Sequence, residues 1–593
     1  MRESSLKKKF METRVCQNCK SEFRIEAEDF AFYEKMAVPP PTWCPECRMV
    51  RRALFYSNRH LFRTKDALTG KEIFSGIPAS APMKVYDKEY WWSDAWDPMN
   101  YGRDYDFSRP FFEQFRELMQ AVPWPSRNIR RLIRSDYSNN ASDLKNCYLC
   151  FDLAGSEDSA YLVNAYYDKN CFDITTSIRG ELNYECLVIE RCFQTFFSYA
   201  GEECRNVWFS RNCTGCADCF GCVNLRSKQY YIFNQPYTQD AYLEEMKRMN
   251  LGSYAGLTAA RERAREVWRR HPYKFMYGYR NTDVSGDWIA YAKNVKQSFN
   301  AMEIEDSKFC QNLLLGVKDS YDFTVWGEKS EMIYEAIQTG DGCRNIKFSW
   351  NCCLGDSDSE YSMGCHSSSN LFGCVGLRKK SYCIFNKQYS KEDYMALREK
   401  IIRHMHEMPY TDARGHIYGY GEFFPSEFSP FAYNESFAQD LLPLAKASAE
   451  AQGYVWRQSE AHQYEITVAA KDLPDHIRDA DDGILKGTIG CLACGRAYRI
   501  IQPELVFLRS MSLPLPRLCP DCRYVERSCY RNPVRFYHRT CQCAGTGNTG
   551  NTYQNQTLHA HGAAPCNIAF ETSFAPDRPE IIYCESCYQA EVA

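Results

Sequence analysis

Phe220-Gly-Cys-Val-Asn-Leu-Arg-Ser-Lys-Gln-Tyr-Tyr-Ile-Phe-Asn-Gln-Pro-Tyr-Thr238 returns 152 residues later as Phe372-Gly-Cys-Val-Gly-Leu-Arg-Lys-Lys-Ser-Tyr-Cys-Ile-Phe-Asn-Lys-Gln-Tyr-Ser390. Upstream, Arg205-Asn-Val-Trp-Phe-Ser-Arg-Asn-Cys213 returns at an offset of 139 as Arg344-Asn-Ile-Lys-Phe-Ser-Trp-Asn-Cys352, so the second copy carries a 13-residue insertion between the two blocks. The middle of the chain is a duplication. Within each copy, short apolar and aromatic runs recur. In the first they start at Asn146, Ser159, Asn170, Asn183, Asn206, Asp218 and Gln229. In the second they start at Asp287, Gln297, Lys308, Ser320, Met332, Asn345, Glu360, Asn370 and Ser381. Strands of about five residues, parted by Asn, Asp, Gly and Ser turns, suit a sandwich, a barrel or a β-solenoid. The even pitch without Asn-Gly hairpin signals favours the solenoid, with two strands per coil and a period of roughly 22 to 26 residues. Each copy then enters a helix-like segment, in which Thr238 or Ser390 caps the first turn and Tyr242 and Met246, or Tyr394, Leu397 and Ile401, form the apolar stripe.

The two ends also repeat each other. Cys16-Gln-Asn-Cys19 with Cys44-Pro-Glu-Cys47, and Cys491-Leu-Ala-Cys494 with Cys519-Pro-Asp-Cys522, share one spacing. At an offset of 475, Arg24, Ile25, Phe32, Met36, Arg48 and Arg52 fall on identical residue types. A CxxC turn aims two thiolates at one ion, and two such knuckles complete the tetrahedron that a structural Zn²⁺ prefers. A redox dithiol needs only one CxxC and leaves the fixed partner unexplained. A helix-like run follows the second knuckle of each module, as in ribbon and treble-clef fingers.

In the C-terminal module Cys541, Cys543, Cys584 and Cys587 supply a further four-thiolate set, with His538, His559, His561, Cys529 and Cys566 as rival ligands. The expected cofactor is therefore two to three Zn²⁺ ions. The corresponding N-terminal places hold Lys65, Asp87 and Tyr90, so a second site there has decayed, and packing by Trp91, Trp92 and Trp96 is expected to fix that fold. Cys213, Cys216, Cys219 and Cys222 resemble an iron–sulfur run. The last spacing departs from the ferredoxin pattern, and the sister copy keeps only Cys352 and Cys374, which favours thiols packed inside the coils.

The 593 residues, 31 of them Cys, carry a net charge of -3, which excludes a polyanion-coating protein as a whole. No run of about 20 apolar residues offers a membrane span, and the charged opening MRESSLKKKF argues against an export signal. So many thiols without export point to metal ligation in a cytoplasmic setting rather than disulfide staples. Residues 1–70 hold 14 Lys and Arg against 9 Asp and Glu, and residues 484–593 hold 11 against 8, which leaves the middle acidic.

The expected fold is mainly β with flanking helices: two zinc-ribbon or treble-clef-like terminal modules around a duplicated β-solenoid-like middle. The parts are an N-terminal module at 1–110, a helical connector at 111–136, β-repeat units at 137–236 and 283–390 around a helical insert at 237–282, a helix and acidic linker at 391–483, and the C-terminal module at 484–593. The stretch from Val85 through Trp91-Trp92-Ser93-Asp94-Ala95-Trp96-Asp97-Pro98 to Phe115, the two CPxC knuckles, FETSFAPDRPE (570–580) and LPDHIRDADD (473–482) together resemble large uncharacterised zinc-ribbon proteins of uncultivated small-genome bacteria. That resemblance implies zinc binding and a cytoplasmic setting, and no activity.

The arginines after the knuckles give the functional expectation. Arg48, Arg51, Arg52 and Arg59, and in the other module Arg523, Arg527 and Arg531, suit contact with RNA or DNA phosphates. Against this stand a solvated face, or docking onto the protein's own acidic middle, with part of the arginine offsetting the charge of the zinc thiolates. The chain reads as a non-enzymatic zinc-binding protein that contacts nucleic acid. The alternative is a protein-protein scaffold along the solenoid surface, and the third reading is a carbohydrate-active solenoid enzyme using acids such as Asp356, Asp358 and Glu360.

Overall fold

The computed structural model describes residues 11–458, 464–545 and 553–592. The first ten residues, which carry most of the charged opening, lie outside them. The chain is mostly β with helices, and it divides into two compact units that are each discontinuous in sequence. One unit is Met1–Arg127, Met276–Arg457 and Pro533–Arg535; the other is Asn128–Phe275, Gln458–Asn532 and Phe536–Ala593. The N-terminal module thus belongs with the second repeat copy and the C-terminal module with the first. The consecutive partition drawn from the sequence did not foresee this.

In the second unit the repeat copy forms parallel sheets of seven and five strands, the last pair of the latter antiparallel. Each strand is about four residues long and pairs with the strand twelve residues on: Phe151 with Val163, Val163 with Thr175, Thr175 with Leu187, Leu187 with Tyr199. Between strands, single bridges such as Glu157 with Lys169 and Ala160 with Phe172 keep the same spacing. The backbone follows suit: the Val163 N–H reaches the Ile174 carbonyl (3.0 Å) and the Tyr167 N–H reaches that of Ala154 (2.9 Å). The repeat is therefore one rung per twelve residues, half the expected period. The reason is local. From Asn140 to Asn170 almost every third residue has positive φ, as at Asp143 (57°), Asn146 (55°), Asp152 (56°), Asp158 (49°) and Asn164 (56°). Four left-handed corners turn the chain within one rung. Asn and Asp tolerate that region best among residues with a Cβ, which explains why they punctuate the sequence. They also bond from rung to rung, as Asn206 Nδ2 does to Asp218 Oδ1 (2.7 Å).

The first unit contains an eleven-stranded sheet from Gly278–Tyr279 to Lys387–Gln388 built on the same plan, with registers of eleven to thirteen residues such as Gly278 with Ile289, Ser357 with Ser369 and Gln311 with Thr324.

The long repeated motif that opens the sequence argument ends each stack. Phe233-Asn234 and Phe385-Asn386 all have positive φ and turn the chain back into a short antiparallel strand, Gln235–Pro236 or Lys387–Gln388. The asparagine side chain then occupies the place of a further rung. Asn386 Oδ1 accepts from the Val375 N–H (2.8 Å), while its Nδ2 donates to the carbonyls of Val375 (2.8 Å) and Pro98 (3.1 Å). Asn234 makes the same pair with Val223 at 2.8 and 3.0 Å. An open sheet edge is thereby satisfied within the chain. Thr238 and Ser390 accept from the N–H groups of Ala241 and Asp393, and helices Gln239–Arg248 and Lys391–Glu407 follow.

The interior of each stack is a column of small apolar groups. Cys147, Cys150, Leu162, Ala165, Cys171, Ile174 and Cys186 form one cluster, and Cys352, Cys365, Cys374 and Cys383 belong to another. Part of the stretch read as linker is core instead: Phe428, Tyr433, Phe437 and Leu441 are buried in the first unit.

Candidate metal centres

In the N-terminal module a hairpin, Met11–Val15 with Glu22–Glu26, carries Cys16 and Cys19 on its turn, while Cys44 and Cys47 flank the start of helix Pro45–Ala53. Pro45 at the first helical position suits its fixed φ and missing N–H. All four sulfurs lie within 4.8 Å of one another. Cys19 and Cys44 are 3.7 Å apart, close to the roughly 3.8 Å that tetrahedral Zn–S bonds of about 2.3 Å impose. The Cys44 N–H also points at Cys16 Sγ (3.2 Å), a contact that favours the thiolate.

The C-terminal module repeats this site. Cys491, Cys494, Cys519 and Cys522 converge, with Cys494 to Cys519 at 3.8 Å and the Cys519 N–H on Cys491 Sγ at 3.3 Å. The residue after each first knuckle needs a left-handed backbone, met by Gly495 (φ 70°) in one module and Lys20 (φ 63°) in the other. The eight ligands expected from the sequence are thus brought together in two sets of four that could hold metal ions.

The third set differs from the expectation. Cys541, Cys584 and Cys587 converge with Cys566, not with Cys543, and the Cys566 and Cys584 sulfurs are 3.9 Å apart. Cys543 lies instead 3.2 Å from His559 Nδ1 and 3.4 Å from His561 Nε2, in a group that also contains Cys587. In the sequence Cys566 lies between the CxC and CxxC pairs without a spaced partner of its own, so it carries little signal there. The strand pairing of Tyr537–Thr540 with Ala569–Thr572 and the bond from the Cys566 N–H to the Cys543 carbonyl (2.8 Å) bring it alongside.

The equivalent N-terminal position follows strand Phe62–Lys65, just as Cys541 follows Tyr537–Thr540, so Asp66 rather than Lys65 stands there. Its carboxylate accepts from the N–H groups of Leu68 (3.2 Å), Thr69 (3.2 Å) and Asp87 (3.4 Å). Burial raises its pKa and these bonds, with that of the Thr69 hydroxyl, outweigh it and hold the carboxyl below its usual range. A hydrogen-bonded acid does the joining that sulfur and metal could do in the sister module. Trp91 is buried with its Nε1 on the Pro123 carbonyl (2.8 Å), and Trp96 Nε1 donates to the Trp91 carbonyl (2.8 Å).

Five of the seven arginines expected to face phosphate, Arg48, Arg51, Arg52, Arg523 and Arg527, are inside. Arg48, Arg51, Arg52 and Arg523 are among the largest fully buried side chains. In the first unit Asp322 receives Arg48 Nη2 (2.8 Å) and Arg52 Nη1 (2.9 Å), while Arg51 bridges Glu335 (2.9 Å) and Glu422 (2.8 Å). In the second unit Asp173 receives Arg523 Nη2 (3.1 Å) and Arg527 Nη1 (3.2 Å). Arg59 lies 3.8 Å from Asp440, and Arg531 Nη2 donates to Thr176 Oγ1 (2.5 Å). Arg48, Arg51, Arg52, Arg523 and Arg527 are withdrawn from any external polyanion because buried carboxylates already neutralise them, whereas Arg59 and Arg531 are half-buried. Of the alternatives weighed on the sequence, docking onto the acidic middle is the one the geometry realises.

The other candidate groups are also engaged. Cys213, Cys216, Cys219 and Cys222 each lie in reach of the carbonyl two residues earlier, at 3.7, 3.5, 3.2 and 3.4 Å. Burial pushes the thiols of Cys186, in the same stack, and of Cys310, in the stack of the first unit, up to about 12, so they stay protonated. Asp356 is buried, Asp358 accepts from Asn345 (2.7 Å), and Glu360 is bound by Arg398 (2.5 Å), Lys347 (3.4 Å) and the Tyr420 hydroxyl (2.9 Å), so these acids do not form an open carboxylate pair. A cavity of about 40 Å³ lined by Glu185, Phe197, Arg261, Trp268 and Tyr530 has room for little more than water.

No family model matches the chain, and no curated protein matches it significantly. Among solved structures, one described as a candidate acetyltransferase from Desulfovibrio desulfuricans G20 is 10% identical, covering 49% of this chain and 86% of its own, with a TM-score of 0.10. A superposition that weak carries no argument. Among the described residues no helix is long and apolar enough to cross a membrane.

Proposed function

We propose that the chain is a zinc-dependent, non-enzymatic scaffold in which metal-pinned heads clamp two stacks of rungs, the rungs closing into β-solenoids whose outer faces bind partner proteins in a cytoplasmic, reducing setting. The observation that carries this reading is the repeated clamp: a helix that starts at a CxxC knuckle delivers two arginines, one turn apart, to one buried aspartate of the rung stack. Arg48 and Arg52 do so on Asp322, and Arg523 and Arg527 on Asp173. The role of the metal is to fix the start of that helix.

Stacked rungs offer an extended surface to proteins. Nucleic-acid contact, the leading sequence-based reading, loses Arg48, Arg52, Arg523 and Arg527 to these clamps and Arg51 to Glu335 and Glu422. The test is purification of the full chain under reducing conditions, metal analysis, and capture at low and high salt. Protein partners retained at high salt support the scaffold. Retention of RNA or DNA that falls steeply with salt, with no protein partner, overturns it.

A further inference from the structure

Deepening the metal-dependent reading above, we infer that the C-terminal module binds two metal ions rather than one, as a thiolate-bridged pair sharing Cys587. One ion takes Cys541, Cys566, Cys584 and Cys587; the other takes Cys543, His559, His561 and Cys587. Each set has its ligand atoms within 4.8 Å of one another, and Cys587 belongs to both.

The nitrogen side of the second set is oriented for a metal. His559 Nε2 lies 2.8 Å from Glu591 Oε1, and His561 Nδ1 lies 2.7 Å from the Ala564 carbonyl. A carboxylate and a carbonyl only accept, so these two ring nitrogens hold the protons. The opposite nitrogens, His559 Nδ1 and His561 Nε2, are left with bare lone pairs, and both face sulfur. His559 Nδ1 is 3.2 Å from Cys543 Sγ, and His561 Nε2 is 3.4 Å from Cys543 Sγ and 3.2 Å from Cys587 Sγ. Bonds of about 2.3 Å to sulfur and 2.0–2.1 Å to nitrogen place such atoms roughly 3.6 Å apart around zinc, near what is seen.

The outer groups fit the same purpose. Glu591 and His559 are both buried. Glu591 also accepts from the Tyr553 hydroxyl (2.6 Å), the Thr557 hydroxyl (3.0 Å) and the N–H groups of Gln556 (3.0 Å) and Thr557 (3.2 Å), which fixes the loop that presents the histidine. A carboxylate behind a histidine is the usual support of a metal-bound imidazole. Asn555 Nδ2 donates to Cys543 Sγ (3.0 Å) and is held by the Tyr583 hydroxyl on its Oδ1 (2.8 Å), so an N–H dipole supports that sulfur as a thiolate. With five thiolates, two neutral imidazoles and two divalent ions, the pair has a net charge of about -1, less than the -2 of a four-thiolate zinc. Sharing one sulfur lets seven side chains supply both four-ligand sets.

The test uses the full chain, refolded with Zn²⁺ or Co²⁺ under reducing conditions. Four ions per chain are expected: one at each knuckle site and two here. Cys543→Ser is expected to bind three. In the cobalt form a thiolate bridge couples the two high-spin ions, so the paramagnetic resonance of the wild type accounts for fewer cobalt ions than elemental analysis finds, and Cys543→Ser restores the match. This readout is made on the unaltered chain and does not depend on the variant folding. Three ions in the wild type, or resonance that accounts for all the cobalt, overturns the bridged pair while leaving the two knuckle sites and the scaffold reading intact. Loss of metal from the knuckle sites would count against that earlier reading instead.

Discussion

Asp322 sits at a left-handed corner of a rung with two guanidinium groups on its carboxylate, and Asp173 repeats the arrangement in the other unit. Removing one acid strands two buried cations, whereas replacing the whole set by apolar groups removes the desolvation cost as well. Asp322→Ala is therefore expected to destabilise its unit by about 3–5 kcal/mol in denaturant unfolding. Asp322→Leu with Arg48→Met and Arg52→Met is expected to recover most of that loss. Equal losses for the single and triple variants would show that the pairing matters less than the shape. A second kind of buried acid lies inside the stacks. Burial pushes Asp356 up to about 7 and Asp168 up to about 6, against bonds from the Ser368 N–H to the former and the Gly180 N–H to the latter. Below about pH 3 both folded and unfolded chains keep these protons. As pH rises from there towards 7 the unfolded chain releases them first, so the native state, which binds more protons, loses stability. Asp356→Asn should flatten that decline, measured as the urea midpoint at pH 4.5, 6 and 7.5. A variant profile parallel to the wild type would contradict the assignment.

At the scale of elements, the repeated Ile-Phe-Asn run is a stop signal for the stack. Asn386→Gly keeps a residue that favours positive φ but deletes the three hydrogen bonds to Val375 and Pro98. The expected cost is about 1–3 kcal/mol, seen as a lower midpoint and faster amide exchange at Val375. Unchanged exchange there would mean that the turn alone ends the sheet. The sequence showed that this motif was duplicated and that a helix followed it. It did not show the side chain acting as a rung, because that depends on which backbone groups, eleven residues upstream, lie beside it in space. The spacing of 11 to 13 residues between the runs was legible, but not that each run is a rung of its own rather than half of a two-strand coil, because left-handed corners every third residue are a property of the folded backbone. The knuckles were fully legible, since CxxC spacing and Pro after cysteine fix the turn and helix start locally.

For the whole molecule, the decisive feature is which head belongs with which stack. Arg51 in the first unit reaches Glu335 and Glu422, but the matching position of the second is Glu526, which instead receives Arg261 (3.2 Å) and Arg265 (2.8 Å). This reversal makes each head complementary to the surroundings it has within its own unit. If metal fixes the heads, chelation at neutral pH should raise amide exchange in helices Pro45–Ala53 and Pro520–Ser528 by orders of magnitude. Ladder amides such as Val163 should stay slow, and zinc should restore protection. Helices that remain protected without metal would refute its organising role.

The sequence by itself determined the duplications, the two knuckle sites and the mainly β character, because spacing and turn chemistry act over a few residues. Only the tertiary structure decided that Cys566 joins the C-terminal cluster, that Asp66 stands at the place of Cys541, and that Arg48, Arg51, Arg52, Arg523 and Arg527 are buried. Each of these depends on groups distant in sequence whose charges and hydrogen-bonding atoms meet only when the heads pack on the rungs.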